Sequence, residues 1–219
     1  MLVVAVLVAV CWALLASPLL GVRTVQVDGL GTLPADQVRK AAGIDPGTPL
    51  LRVDLDAAKA RVARLPQVRS VEVTRGWPHS VVITVVERVA VAIVGTPGRR
   101  SLVDSDGVLF DTVTGNAPAG VVPLDVANPG PRDPATRAGL AAVGALPSGL
   151  RGKVSVVAAP KADDIEVTLA DGTLVRWGGP EQSAAKAKAL AALLDQIAAG
   201  TIDPAGTIDV SAPEAVVLR

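Results

Sequence analysis

The sequence is poor in the residues that most often carry chemistry. Its 219 residues include one Cys, Cys11, and one His, His79. A lone Cys forms no internal disulfide, and a lone imidazole excludes a histidine-rich metal site. The aromatic residues are only Trp12, Trp77, Trp177 and Phe110. That leaves little with which to build a base-stacking surface or an aromatic sugar-binding cleft. An excess of either charge is also missing. Twenty-one Lys+Arg balance 21 Asp+Glu, which argues against nucleic-acid binding through a general basic field. What is present is apolar: 50% of the chain is hydrophobic, enough for a core and too much for wholesale disorder.

The charges are unevenly placed. None occurs in residues 1–22, MLVVAVLVAVCWALLASPLLGV. As a helix this run measures about 33 Å, enough to cross a hydrocarbon core of about 30 Å. A soluble helix has no use for an apolar surface all round, so residues 1–22 read as a single transmembrane helix that holds the chain in a lipid bilayer. A cleaved signal peptide fits less well, because no basic n-region precedes the run and no small-x-small site follows it. A lipoprotein signal is disfavoured because Val10 precedes Cys11; Cys11 then faces lipid or packs. Arg23, Arg39 and Lys40 follow the span and no basic residue precedes it, which by the positive-inside rule places the large region in the cytoplasm. A basic arm missing ahead of Met1 would reverse that reading.

Residues 22–28 alternate, with Val25 and Val27 on one face, as a half-buried strand does. Gly29, Leu30 and Gly31 make a turn. Pro34 suits the first turn of a helix reaching Ala42, with Gly43 as its stop. Asp54 is a good N-cap for a second helix, whose Leu55, Ala58, Val62 and Leu65 form one apolar face and which Pro66 ends. Val71 and Val73, then Val81, Ile83 and Val85, mark two strands around a turn at residues 76–79. The order β-α-α-β-β fits two helices packed on a three-stranded sheet.

Beyond residue 88 the pattern is richer in strands. Residues 89–94, 101–103, 154–157, 165–169 and 174–177 read as strands, and Asp171-Gly172 as a hairpin turn. Residues 108–110 are apolar, and a stretch rich in Gly, Pro and Asn runs to about Pro134. Residues 135–146 read as a helix. So do residues 182–199, where Leu190, Leu193, Leu194 and Ile197 make an apolar stripe closed by Gly200. Residues 207–210 form a last short strand, and residues 215–218 either extend it or belong to a tail.

Three segments carry a family resemblance: VRTVQVDG (residues 22–29), PQVRSVEVT (66–74) and above all WPHSVVITVVERVAVAIV (77–94). In the last, Trp-Pro leads a strand, then Glu-Arg, then a further strand. This resembles the FtsQ/DivIB family of bacterial cell-division proteins. The resemblance implies an α+β protein: a transmembrane helix at 1–22, a POTRA domain at 23–88, a mainly antiparallel β domain with flanking helices at 89–212, and a tail at 213–219. It also implies a non-enzymatic scaffold of the division septum. The large region would be extracytoplasmic, and the chain would recruit membrane proteins such as the FtsB–FtsL pair and help control septal peptidoglycan synthesis. In this family the last strand and the helix before it form the partner-binding edge, which maps the contact to Thr207, Ile208, Asp209, Val210 and Ser211, with Lys186 on the helix. The physical mechanism expected is addition of a partner strand to an exposed sheet edge. The family tends to place bulky aromatics near that edge, and this chain has none there.

Other motifs read more plainly as structure. Gly29-Leu30-Gly31-Thr32-Leu33-Pro34 follows a strand as a dinucleotide fingerprint does, but Pro34 replaces the third Gly and no parallel strand follows the helix, so a turn is expected. Asp104-Ser105-Asp106-Gly107 lacks the remaining oxygens of a calcium loop. His79 is expected to be a solvated loop residue, and Asp163-Asp164 solvated charge. Trp77 and Trp177 fit either core or interface. With no nucleophile elbow and no recognisable triad, no catalytic residue, metal, cofactor, small-molecule substrate or nucleic acid is expected. A POTRA-containing transport or assembly accessory protein is the alternative, disfavoured because too little chain follows the unit to build a barrel.

Overall fold

A computed structural model describes residues 3–4, 21–96, 98–115 and 117–219. Most of the apolar run at 1–22, including Cys11 and Trp12, falls outside the described residues. Among the described residues no helix is long and apolar enough to cross a membrane. The chain divides into two compact units that meet between Arg88 and Val89.

The first unit contains β1 (Thr24–Asp28), α1 (Ala35–Ala42), a 3-10 turn (Leu50–Arg52), α2 (Leu55–Val62), β2 (Val68–Gly76) and β3 (Ser80–Glu87). The sheet order is β1-β3-β2. β1 lies parallel to β3, with Thr24 opposite Ser80, and β2 pairs antiparallel with β3. Val71, Val73, Val81, Ile83 and Val85 share a buried core with Val38, Ala42, Ala58 and Val62 of the helices. The alternate residues Glu72, Thr74, Thr84 and Val86 are exposed, as a one-sided sheet requires.

Local chemistry sets the helix ends. Asp54 caps α2 by accepting from the Ala57 N–H at 2.9 Å. Gly43, at φ 57°, ends α1 in the left-handed region that glycine adopts without penalty. Gly21 and Val22 also belong to this unit. Gly21 bridges to Pro49, and Val22 is 2% exposed and bonded to Thr48 and Gly47. The last two residues of the expected apolar span therefore belong to the folded unit.

The second unit contains β4 (Ala92–Thr96), β5 (Arg99–Val103), β6 (Leu109–Val113), β7 (Val122–Asp125), α3 (Pro134–Ala145), α4 (Ser148–Arg151), β8 (Val154–Lys161), β9 (Asp164–Leu169), β10 (Leu174–Gly178), α5 (Ser183–Ala198), β11 (Thr207–Asp209) and β12 (Val217–Leu218). They form one sheet in the order β12-β11-β10-β9-β8-β7-β4-β5-β6. Most neighbours are antiparallel, but β7 is parallel to both β4 and β8, and β11 is parallel to β10.

Residues of α3 and α5 share the main core with β4 and β7–β11. Ile93, Leu102 and Phe110 form a second cluster. Strand β4 contributes Ala92 and Val94 to one cluster and Ile93 to the other, which is why this stretch is apolar without alternation. Four elements depart from the sequence reading: β6 is marked there only as an apolar run, and α4 is not marked at all. β7 lies inside the Gly/Pro/Asn-rich stretch, and β12 lies inside the segment from 213 read as a tail.

Candidate functional site

The C-terminal side of the second sheet is built on β10. Trp177 on this strand is fully buried, and its Nε1–H donates to Ser183 Oγ at 3.1 Å at the start of α5. The Ser183 hydroxyl in turn donates to Pro180 O at 2.7 Å. Lys186, one turn further along α5, is 3% exposed, and its Nζ donates to the carbonyls of Trp177 and Gly179, both at 2.9 Å. Burial lowers the Lys186 pKa, while the nearby Glu181 charge works the other way. Lys186 is therefore an internal strut between α5 and β10. The expectation that it meets a partner from an exposed helix face is corrected: its ammonium is committed to main-chain oxygens. Lys188, on the same helix, is exposed.

Strand β11 adds parallel to β10, with Val175 opposite Ile208. Its other side is occupied as well. β12 pairs antiparallel with it, Ile208 opposite Leu218 and Asp209 opposite Val217. Thr207 and Arg219 exchange two N–H···O bonds, each 2.9 Å. The main-chain row of Thr207, Ile208 and Asp209 is thus already paired by the chain itself, contrary to the expected free edge. Val210 and Ile208 are fully buried, and the Val210 N–H donates to Arg176 O at 3.0 Å. Ser211 is exposed, and its hydroxyl and N–H both donate to Asp209 Oδ1, at 2.6 and 3.0 Å, holding that carboxyl below its usual pKa.

The outermost strand is β12. Antiparallel pairs alternate between hydrogen-bonded and non-bonded positions. Since Arg219 faces β11, so does Val217, and the N–H and C=O of Leu218 point away from the sheet. Among the described residues no strand pairs on that side, and Val217 is 44% exposed. The sequence signal for this edge was the short apolar step at 216–218, too brief to separate a strand from a tail.

The remaining singled-out residues fall into structural roles. Glu87, the acid of the Glu-Arg pair, fills the Gly29–Pro34 turn. Its carboxylate accepts from the N–H groups of Gly31 (2.8 Å), Thr32 (3.0 Å) and Leu33 (2.9 Å), and from the Thr32 hydroxyl (2.7 Å). Burial alone would raise its pKa. The bonds from Thr32, Gly31 and Leu33 outweigh that and hold it down at about 2. The turn that resembled a phosphate cradle thus already binds an internal anion.

Asp104 is 2% exposed and accepts from the N–H groups of Asp106 and Val108, which makes the segment a side-chain-closed turn. Asp163 and Asp164 are exposed in the β8–β9 hairpin. His79 is half-buried rather than solvated, and its Nδ1 is buried without a partner. Of the two tryptophans left open by the sequence, Trp177 is core and Trp77 is 55% exposed. Among the described residues no three potential metal ligands converge.

A β-α-α-β-β unit followed by a helix-backed mixed sheet defines a POTRA-type protein of two units. The POTRA domain of FtsQ type matches residues 20–88, and the C-terminal domain of cell division protein FtsQ/DivIB matches residues 92–211. The chain belongs to the FtsQ/DivIB family of cell division proteins. It is 43% identical to cell division protein FtsQ of Mycolicibacterium smegmatis over 198 residues, covering 90% of this chain and 57% of that protein. It is 38% identical to FtsQ of Streptomyces bingchenggensis over 216 residues, covering 94% of this chain and 78% of that one. The chain therefore spans less than two thirds of the mycobacterial relative and most of the streptomycete one. The solved major extracytoplasmic domain of the trans isomer of DivIB from Geobacillus stearothermophilus is 24% identical, with a TM-score of 0.38, covering 50% of this chain and 96% of that one, a likeness too distant to argue from.

Proposed function

We propose that the chain is a non-enzymatic, single-pass membrane scaffold of the bacterial divisome. Residues 1–20 hold it in the cytoplasmic membrane, and both folded units lie outside the cytoplasm at the division septum. There it recruits membrane division proteins of the FtsB–FtsL kind and helps control septal peptidoglycan synthesis. Family membership and the charge-free apolar run support this reading.

The observation that carries the mechanism is the outward main-chain row of β12. An unpaired N–H and C=O on a sheet edge favour an extended partner segment that completes the ladder. Thr207, Ile208 and Asp209 pair with β12 on its inner side.

The alternation along β12 gives a sharp test. Pro removes one N–H and is tolerated only where that group faces away from the ladder. Leu218→Pro is expected to abolish capture of the FtsB–FtsL pair in a pull-down while leaving the thermal transition of the second unit in place. Val217→Pro removes an inward N–H and is expected to lower that transition by detaching β12. Capture at wild-type yield by the Leu218→Pro protein means that partners do not dock on this edge.

A further inference from the structure

Among the described residues, the end of the first unit at Gly21 carries two large, half-exposed apolar side chains. Parallel pairing of β1 with β3 brings the start of both strands to one end, and there the Arg23 N–H donates to His79 O at 2.8 Å. The β2–β3 turn therefore sits beside the entry point. Trp77 in that turn is 55% exposed. The 47–52 segment reaches the same end through the bonds of Val22 to Gly47 and Thr48, and its Leu51 is 45% exposed.

The backbone that presents each side chain is tied down by hydrogen bonds. The Arg75 guanidinium donates to the carbonyls of Leu50 and Val53 at 2.9 and 3.0 Å, fixing the turn that presents Leu51. The Ser80 hydroxyl donates to Gly76 O at 2.6 Å, fixing the turn that presents Trp77. A Cβ on Gly76 would lie 2.3 Å from that hydroxyl oxygen, so the turn is closely built. The charged groups around them are of both signs. Arg23 and Arg52 are exposed and Arg75 is half-buried, against Asp45 and the α2 cap Asp54. The half-buried His79 lies in the same turn.

We propose that this end of the first unit seats on the surface of a lipid bilayer rich in anionic headgroups, with Trp77 and Leu51 at headgroup depth. An indole with an apolar body and a polar N–H is the side chain that favours that layer, and flanking arginines complement negative headgroups. The inference rests on reading residues 1–20 as a membrane span, because the span delivers the chain to the bilayer surface at Gly21, beside Trp77. It goes beyond tethering: the folded unit itself contacts lipid, which limits the angles through which it can swing.

The full chain carrying Trp12→Phe, reconstituted in vesicles of phosphatidylethanolamine and phosphatidylglycerol, tests this. Trp77 emission is taken as the difference from a matching Trp77→Phe protein. About half of it is expected to be lost to lipids brominated high on the acyl chain, as for a ring at headgroup depth. Vesicles of phosphatidylcholine, or the Arg23→Glu/Arg52→Glu protein in anionic vesicles, are expected to quench markedly less. Flotation with the vesicles but no quenching overturns the docking and leaves the span reading standing. Trp77 emission that is blue-shifted yet unquenched assigns the patch to a protein neighbour and also overturns it. Equal quenching in phosphatidylcholine overturns the role of anionic headgroups. Failure to float removes the span reading, and the docking falls with it.

Discussion

Trp177→Ala is expected to cost the second unit about 3–5 kcal/mol, the usual range for truncating a fully buried Trp. Trp177 is the largest side chain with no exposure among the described residues, and close-packed interiors relax only partly around such a void. The indole also supplies the N–H that the Ser183 hydroxyl accepts at the start of α5. Its own carbonyl receives Lys186 Nζ. Loosening β10 therefore disturbs the seat of α5 and the strand on which β11 is laid. Urea denaturation should show the second unit's midpoint falling while the transition of the first unit stays where it was. A loss under about 1 kcal/mol would contradict tight packing around the ring. Because the candidate edge is built outward from β10, partner capture should fall in parallel with the lost stability.

Glu87→Gln is expected to weaken the first unit by about 2 kcal/mol at neutral pH and to flatten its acid response. The carboxyl is held at about 2, against 4.5 for the free group. A depressed acid pKa stabilises the folded state fully above the unfolded value, and that contribution disappears as pH falls through the folded value. The wild-type unit should therefore lose this contribution between about pH 4.5 and pH 2. The shift alone corresponds to about 3 kcal/mol; the lower figure allows for solvent screening of a half-buried group. Gln also turns an N–H donor toward three backbone donors. Denaturation curves collected across that pH range, on wild type and variant, should converge at the acid end. Parallel curves would mean that the Gly31–Leu33 donors do not hold the carboxylate in solution.

What was legible in the sequence follows from how far each signal reaches. Val81, Ile83 and Val85 alternate, Asp54 caps and Gly43 stops; these are local features, and they located the strands and helices of the first unit. The role of Glu87 was not legible, although the Glu-Arg pair stood out, because its partners lie 54 to 56 positions earlier in the chain. β7 was hidden for a different reason. It has four residues, with Pro123 among them, and proline normally argues against an interior strand. β12 has two residues, fewer than any periodicity can mark. Lys186 left a usable signal: with Ser183, Ala187 and Leu190 it occupies the buried face of α5. A charge on an apolar stripe asks for a buried partner, and main-chain oxygens supplied it.

The parallel seam at β7 has one more consequence. The strand joins the β4–β6 leaf to β8–β12 through two registered positions on either side. Helix α3 lies over this junction, and a Cβ on its Gly139 would come within 2.6 Å of the Leu124 Cδ1 methyl, which would have to turn aside. A bulky group at that helix position would lever the two leaves apart. A label attached at residue 139 itself would therefore disturb the junction, whereas the exposed Arg137 and Ala141 on the same helix offer positions that leave it intact.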